Sequence, residues 1–187
     1  MKTKKLSVLI LLIGLSTLFT FSGTVSAQPA PSLSYINVAA ITSDGDDYQW
    51  HYPESEFLST GYTASGTEVV LAIYVEGYTL PSSPRVYVDD IDITDDIYEP
   101  LPREDVLGPG NLVYGHIYYK AISLDYFENE NIGAVRLFAR DIHDPINVTR
   151  SVTRNFNIDW DTNYETSKTL PAKLNSSNVL ERSDIND

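Results

Sequence analysis

Apolar residues in this chain fall in short runs divided by polar, proline- and glycine-bearing stretches, and most runs alternate with a period of two. Leu33 to Thr42 (LSYINVAAIT) predicts a first strand, rich in residues that fit a pleated surface. Ser43 to Tyr62 reads as irregular, with Asp44-Gly45-Asp46-Asp47 as a turn signal. Thr67 to Glu76 (TEVVLAIYVE) is apolar almost throughout, the pattern of a central strand covered on both faces. Arg85 to Thr94 (RVYVDDIDIT) predicts a tight hairpin about Asp89-Asp90, because Asp tolerates the left-handed backbone of a two-residue turn.

Pro100, Pro102, Gly108, Pro109 and Gly110 mark a long connection. Asn111 to Ala121 predicts a further strand, with a bend at Gly115. Ile132 to Asp141 alternates, with Val135, Leu137 and Ala139 on one side and Arg136, Phe138 and Arg140 on the other. Thr149 to Ile158 alternates too, with Arg150, Val152, Arg154, Phe156 and Ile158 on one side. About seven short strands with turns between them predict an all-β fold. The expected form is a single antiparallel β-sandwich of immunoglobulin-like architecture, with a small β-barrel as the alternative.

The first 27 residues follow another rule. Lys2, Lys4 and Lys5 precede an apolar stretch from Val8 to about Phe21, and Val25-Ser26-Ala27 ends it with small residues. That is the pattern of a secretory signal peptide, removed on export. The expected protein is therefore secreted from a bacterial cell as residues 28–187. Residues 28–160 would form the β-domain. Residues 161–187 would form a polar tail, loose or docked as a short helix from Leu174 to Leu180.

Loss of the leader changes the charge. The full chain has 13 Lys and Arg against 26 Asp and Glu; without three lysines the balance is 10 against 26, or −16. Such a surface disfavours nucleic acid and anionic lipid, whose binding is built on clustered Lys and Arg. The chain has no cysteine. Disulfide staples, thiolate metal sites, thiol catalysis and lipid attachment at cysteine are closed to it. No cofactor is implied, Ca²⁺ aside, and no membrane anchor follows the leader.

Several stretches together resemble a family of small secreted bacterial proteins, the YolA-like family. They are LSYINVAAITS with Trp50 downstream, EVVLAIYVEGY, YVDDIDI, VYGHIYYKAI and GAVRLFARDIHDPIN. The chain departs from the family pattern at Gln49, where a glycine precedes the tryptophan. The resemblance implies a small, secreted, largely β protein and carries no reaction with it.

Three groups of residues are candidates for function. Asp89, Asp90, Asp92, Asp95 and Asp96 could share a Ca²⁺ ion, which would relieve their repulsion; the competing reading is a hairpin with solvated carboxylates. Arg136, Arg140, Arg150 and Arg154 would line up as a basic stripe if their strands are neighbours, able to bind an acidic glycan or to pair with the chain's own acids. Trp50, His51 and Tyr52 lie in the irregular segment, where exposed rings could stack on sugars; the competing reading is that they pack and seal the fold.

No H-E-x-x-H, G-x-S-x-G or phosphate-loop motif occurs. The sequence therefore favours a non-enzymatic extracellular or cell-surface binding module, with a cell-wall or extracellular glycan or a protein as partner. A small secreted hydrolase using carboxylates and a secreted inhibitor or toxin-like factor are the alternatives.

Overall fold

A computed structural model of the protein describes residues 30–54, 57–128, 130–160 and 171–174. The strands are β1 (Tyr35–Ser43), β2 (Ser59–Ser65), β3 (Glu68–Glu76), β4 (Arg85–Val88), β5 (Ile91–Asp92), β6 (Glu104–Leu107), β7 (Val113–Ser123), β8 (Ile132–Arg140) and β9 (Thr149–Asp159). They form two sheets, ordered β1-β3-β7-β6 and β2-β9-β8-β4-β5. All pairings are antiparallel except β2 with β9, which is parallel. The sheets face each other and do not close, so the fold is the sandwich and not the barrel. β1, β3, β7 and β6 take the places of immunoglobulin strands A, B, E and D, while β4, β8 and β9 take those of C, F and G.

Alternation explains the core. Val69, Leu71, Ile73 and Val75 of β3 face Val135, Leu137 and Ala139 of β8, with Phe156 and Ile158 of β9 beside them, all buried. β1 keeps its apolar set inward by means of one extra residue. Val38 pairs with Ile73 and Ala40 with Ala72, which leaves Ala39 as a bulge. Without it Ile41 would turn to the opposite face from Ile36 and Val38; with it all three join the core.

β3 is buried on both faces, as its sequence predicts. Its outward residues Ala72 and Tyr74 lie under a second apolar layer with Ile117, Tyr119 and Leu174, to which Trp50 and Tyr52 add partly buried rings. Leu174 is 5% exposed, and its backbone N–H donates to the Tyr119 hydroxyl at 3.0 Å. Of the tail expected over 161–187, Pro171–Leu174 are described, and Leu174 packs on the sheet because it has an apolar surface to cover. The helix expected from Leu174 to Leu180 falls, beyond Leu174, outside the described residues.

Two strands exceed expectation. β2 begins in the segment expected to be irregular and runs on past Tyr62, and β6 lies in the long connection. Both are sheet edges with sparse apolar signals: Tyr62 and Ala64 face inward from β2, and β6 buries Val106 alone. The irregularity expected at Gly115 falls beside it, at Tyr114, where the β6–β7 register shifts. Gly115 itself admits no side chain, since a Cβ there would sit 2.4 Å from the Val75 carbonyl oxygen.

Candidate functional site: an arginine–aromatic sheet face

β8 and β9 are neighbours, but the four arginines form no common stripe. Directly paired residues share a face, and Arg154 pairs with Val135 while Arg150 pairs with Ala139. Both partners are core residues, so Arg150 and Arg154 lie on the inner side of β9. Arg136 and Arg140 pair with Thr153 and Thr149 on the outer side.

The two inward arginines bond to other parts of the chain. Arg154 is buried, and its Nε donates to Asn37 Oδ1 at 2.9 Å. Burial pushes its guanidinium below the ordinary arginine value. Arg150, at the strand end, donates from Nε to the Ser34 carbonyl at 2.7 Å and so holds the segment before β1.

The outer face of the same sheet gathers a different set. Across β4, β8 and β9 one row reads Tyr87, Arg136, Thr153; the next reads Arg85, Phe138, Ser151; the last pairs Arg140 with Thr149. Cations, rings and hydroxyls thus alternate over the sheet surface. Rows are roughly 6.8 Å apart and strands about 4.8 Å. Arg136 stacks on Tyr87 with its Cζ 4.1 Å from the ring centroid, and Arg140 lies 5.3 Å over Phe138. Arg136 also donates to Asp90 at 3.2 Å and Arg85 to Asp92 at 3.0 Å, both exposed pairs at the sheet edge. Arg140 has no carboxylate within ion-pair distance among the described residues.

The hairpin carrying those acids has the predicted turn. Asp89 and Asp90 take φ values of 49° and 64°, the left-handed pair of a two-residue hairpin. Ile93 is buried, whereas Ile91 overhangs the sandwich and is 67% exposed. Asp92 accepts from the Thr94 hydroxyl at 2.6 Å and its N–H at 3.1 Å. Those bonds, with Arg85 nearby, hold its carboxyl below the usual range. Asp95 and Asp96 are exposed on the following turn. Among the described residues no group of three or more His, Asp or Glu side chains is placed to hold a metal ion. The five aspartates lie along the hairpin and the turn that follows it.

Trp50, His51 and Tyr52 lie on the other sheet. Trp50 is half-buried over Tyr119, ring centroids 6.0 Å apart, and its Nε1 donates to the Ala172 carbonyl at 2.6 Å. His51 is exposed; its Nε2 is 2.9 Å from the Thr60 carbonyl oxygen. Tyr52 is partly buried in the outer apolar layer. Trp50 and Tyr52 therefore sit on the outer face opposite the outward arginines, whereas His51 reaches across to Thr60 and Tyr62 of β2. Arg85, Tyr87 and Phe138 complete the face, and outward parity on β4 and β8 was the signal for them.

A model of one protein family covers residues 28–158, the whole sandwich but for its last strand residue. The chain belongs to the family described as Domain of unknown function (DUF4879). Among curated proteins there is no match. The whole arginine–aromatic face of this DUF4879 domain falls inside the matched region.

Proposed function

We propose that this DUF4879 protein is a secreted, non-enzymatic binding module that holds an acidic extracellular or cell-wall glycan on the outer face of its β2-β9-β8-β4-β5 sheet. The observation that carries this reading is the row pattern of Arg85, Arg136 and Arg140 between Tyr87, Phe138 and the β9 hydroxyls. An open sheet face suits an extended polymer. Guanidinium groups recognise carboxylate or sulfate in a fork, rings supply apolar contact to sugar faces, and hydroxyls complete the hydrogen bonding. The leader-like first 27 residues support export, as do the resemblance to the YolA-like secreted family and a family match that starts at Gln28.

The strong negative charge of the chain opposes long-range attraction of a polyanion. Binding would therefore be local, modest and salt-sensitive. Affinity electrophoresis of the protein through gels containing polygalacturonate, with neutral dextran as control, tests the reading. Retardation by polygalacturonate alone, abolished in an Arg136→Gln/Arg140→Gln double variant, is the expected result. Equal mobility of wild type and variant in the acidic gel would overturn it.

A further inference from the structure

A cleft of about 340 Å³ opens at one end of the sandwich, and none of its lining belongs to the arginine–aromatic face. Its lining comes from the β3–β4 connection, from Arg103 and Asp105 at the start of β6, from Val113, His116 and Tyr118 of β7, and from Ile142 in the β8–β9 connection. In immunoglobulin architecture the β3–β4 and β8–β9 connections correspond to the B–C and F–G loops, the end that carries the binding loops of variable domains. Its volume is at the small end of the range for ligand pockets.

Three chemistries meet in the lining. Arg103 is exposed at the lip, its Cζ 5.9 Å from the Tyr118 ring centroid, with no carboxylate within ion-pair distance among the described residues. In a chain with twice as many acids as bases, Arg103 brings a guanidinium without a carboxylate partner to the rim of a cleft. His116 is 5% exposed, and its Nδ1 is 3.0 Å from Asp105 Oδ1. A carboxylate only accepts, so Nδ1 carries the proton of the neutral ring and Nε2 is left as an acceptor. Leu80, Val113 and Ile142 supply an apolar wall.

We infer that this cleft binds an α-carboxylate attached to an apolar side chain and an acylated nitrogen, the chemistry of a peptide C-terminus. Arg103 takes the carboxylate, the apolar wall takes the side chain, and His116 Nε2 accepts from the amide N–H. Asp105 positions the His116 ring. Burial lowers the imidazole's affinity for protons, with Arg103 adding to the effect, so the ring stays neutral and able to accept at neutral pH.

The test is an NMR titration of the isotope-labelled protein with N-acetyl-leucine, N-acetyl-leucinamide and hexanoate. N-acetyl-leucine is expected to shift amide signals from the β3–β4 connection and from His116 at millimolar concentration. The amide should bind at least tenfold more weakly for lack of the charge, and hexanoate at least fivefold more weakly for lack of the N–H. Arg103→Gln, at an exposed position, should erase the preference for acid over amide while leaving the spectrum of the fold unchanged. Equal shifts with acid and amide, no shifts at 20-fold excess of N-acetyl-leucine, or an Arg103→Gln variant that keeps the preference would each overturn the assignment. Equal binding of hexanoate would overturn the part given to His116. Because Arg103 lies off the sheet face, loss of polygalacturonate binding leaves this result intact, and the converse also holds.

Discussion

Arg136 lies over the ring of Tyr87, its direct partner across β4 and β8, with 4.1 Å from Cζ to the ring centroid. The contact sets the guanidinium plane against the sheet surface and leaves its edge for Asp90 or for a ligand anion. A stacked, partly exposed cation of this kind contributes about 0.5–1 kcal/mol. The pair therefore matters more for the orientation of the arginine than for stability. Tyr87→Leu should leave the melting temperature within about 3 °C of wild type and weaken retardation by polygalacturonate several-fold. A variant retarded as strongly as wild type would show that the stacked geometry is not what the glycan reads.

Trp50 gives the opposite forecast. Its ring covers Tyr119 and its N–H holds the Ala172 carbonyl, so it helps to seal the outer apolar layer. Trp50→Ala should cost about 1–3 kcal/mol, below the figure for a fully buried tryptophan, and leave polygalacturonate binding unchanged. Thermal melts and the same gels read both outcomes.

Truncation after Trp160 should destabilise the protein. It removes Leu174 from above Tyr74, Ile117 and Tyr119 and takes away the backbone donor to the Tyr119 hydroxyl. Loss of one buried leucine contact is worth about 1.5–3 kcal/mol. Tyr119→Phe, which also breaks the short bond to Glu104, should cost about 1–3 kcal/mol. Urea unfolding of both variants measures this, and a truncation as stable as the full chain would contradict the docked position of Leu174.

Asp141 predicts the acid limit of stability. Burial alone would raise its carboxyl, but the N–H groups of Leu33, His143 and Asp144, with His143 nearby, outweigh burial and hold it below the usual range. A carboxyl depressed in the folded state contributes stability that is present above its unfolded value and is lost as pH falls through the folded one. Asp141→Asn should therefore lower the melting temperature at pH 6. The gap from wild type should shrink toward pH 2, as wild type loses the same contribution.

His116 makes a second pH statement of the same sign. Its folded value lies below the ordinary one, chiefly through burial and then through Arg103. Its contribution is full above the ordinary histidine value and declines as pH drops through the depressed value. NMR titration of the His116 ring should give a midpoint below 6.5, and Arg103→Gln should move that midpoint upward.

Strands whose own alternation bears on burial are legible from the sequence. β3 reads as doubly covered because seven consecutive positions, Val69 to Val75, are apolar, and all seven are buried. The β4–β5 hairpin is legible because Asp89-Asp90 matches the turn's backbone need. β6 is not, because an edge strand with one buried residue leaves almost no apolar trace. The basic stripe fails for a reason present in the pattern itself. Arg150 and Arg154 share parity with Phe156 and Ile158, and the side that carries those two faces the core.

The sequence by itself determined which segments extend and, strand by strand, which parity is apolar, since burial of alternate side chains is a local demand repeated along the chain. Only the tertiary structure decided which strands became neighbours, and so that Arg85 would stand beside Phe138, and that Arg103 would share a cleft with His116 and Ile142 from other elements. Those meetings depend on register and on loop closure between distant segments, and period-two alternation repeats identically in every strand without naming a partner.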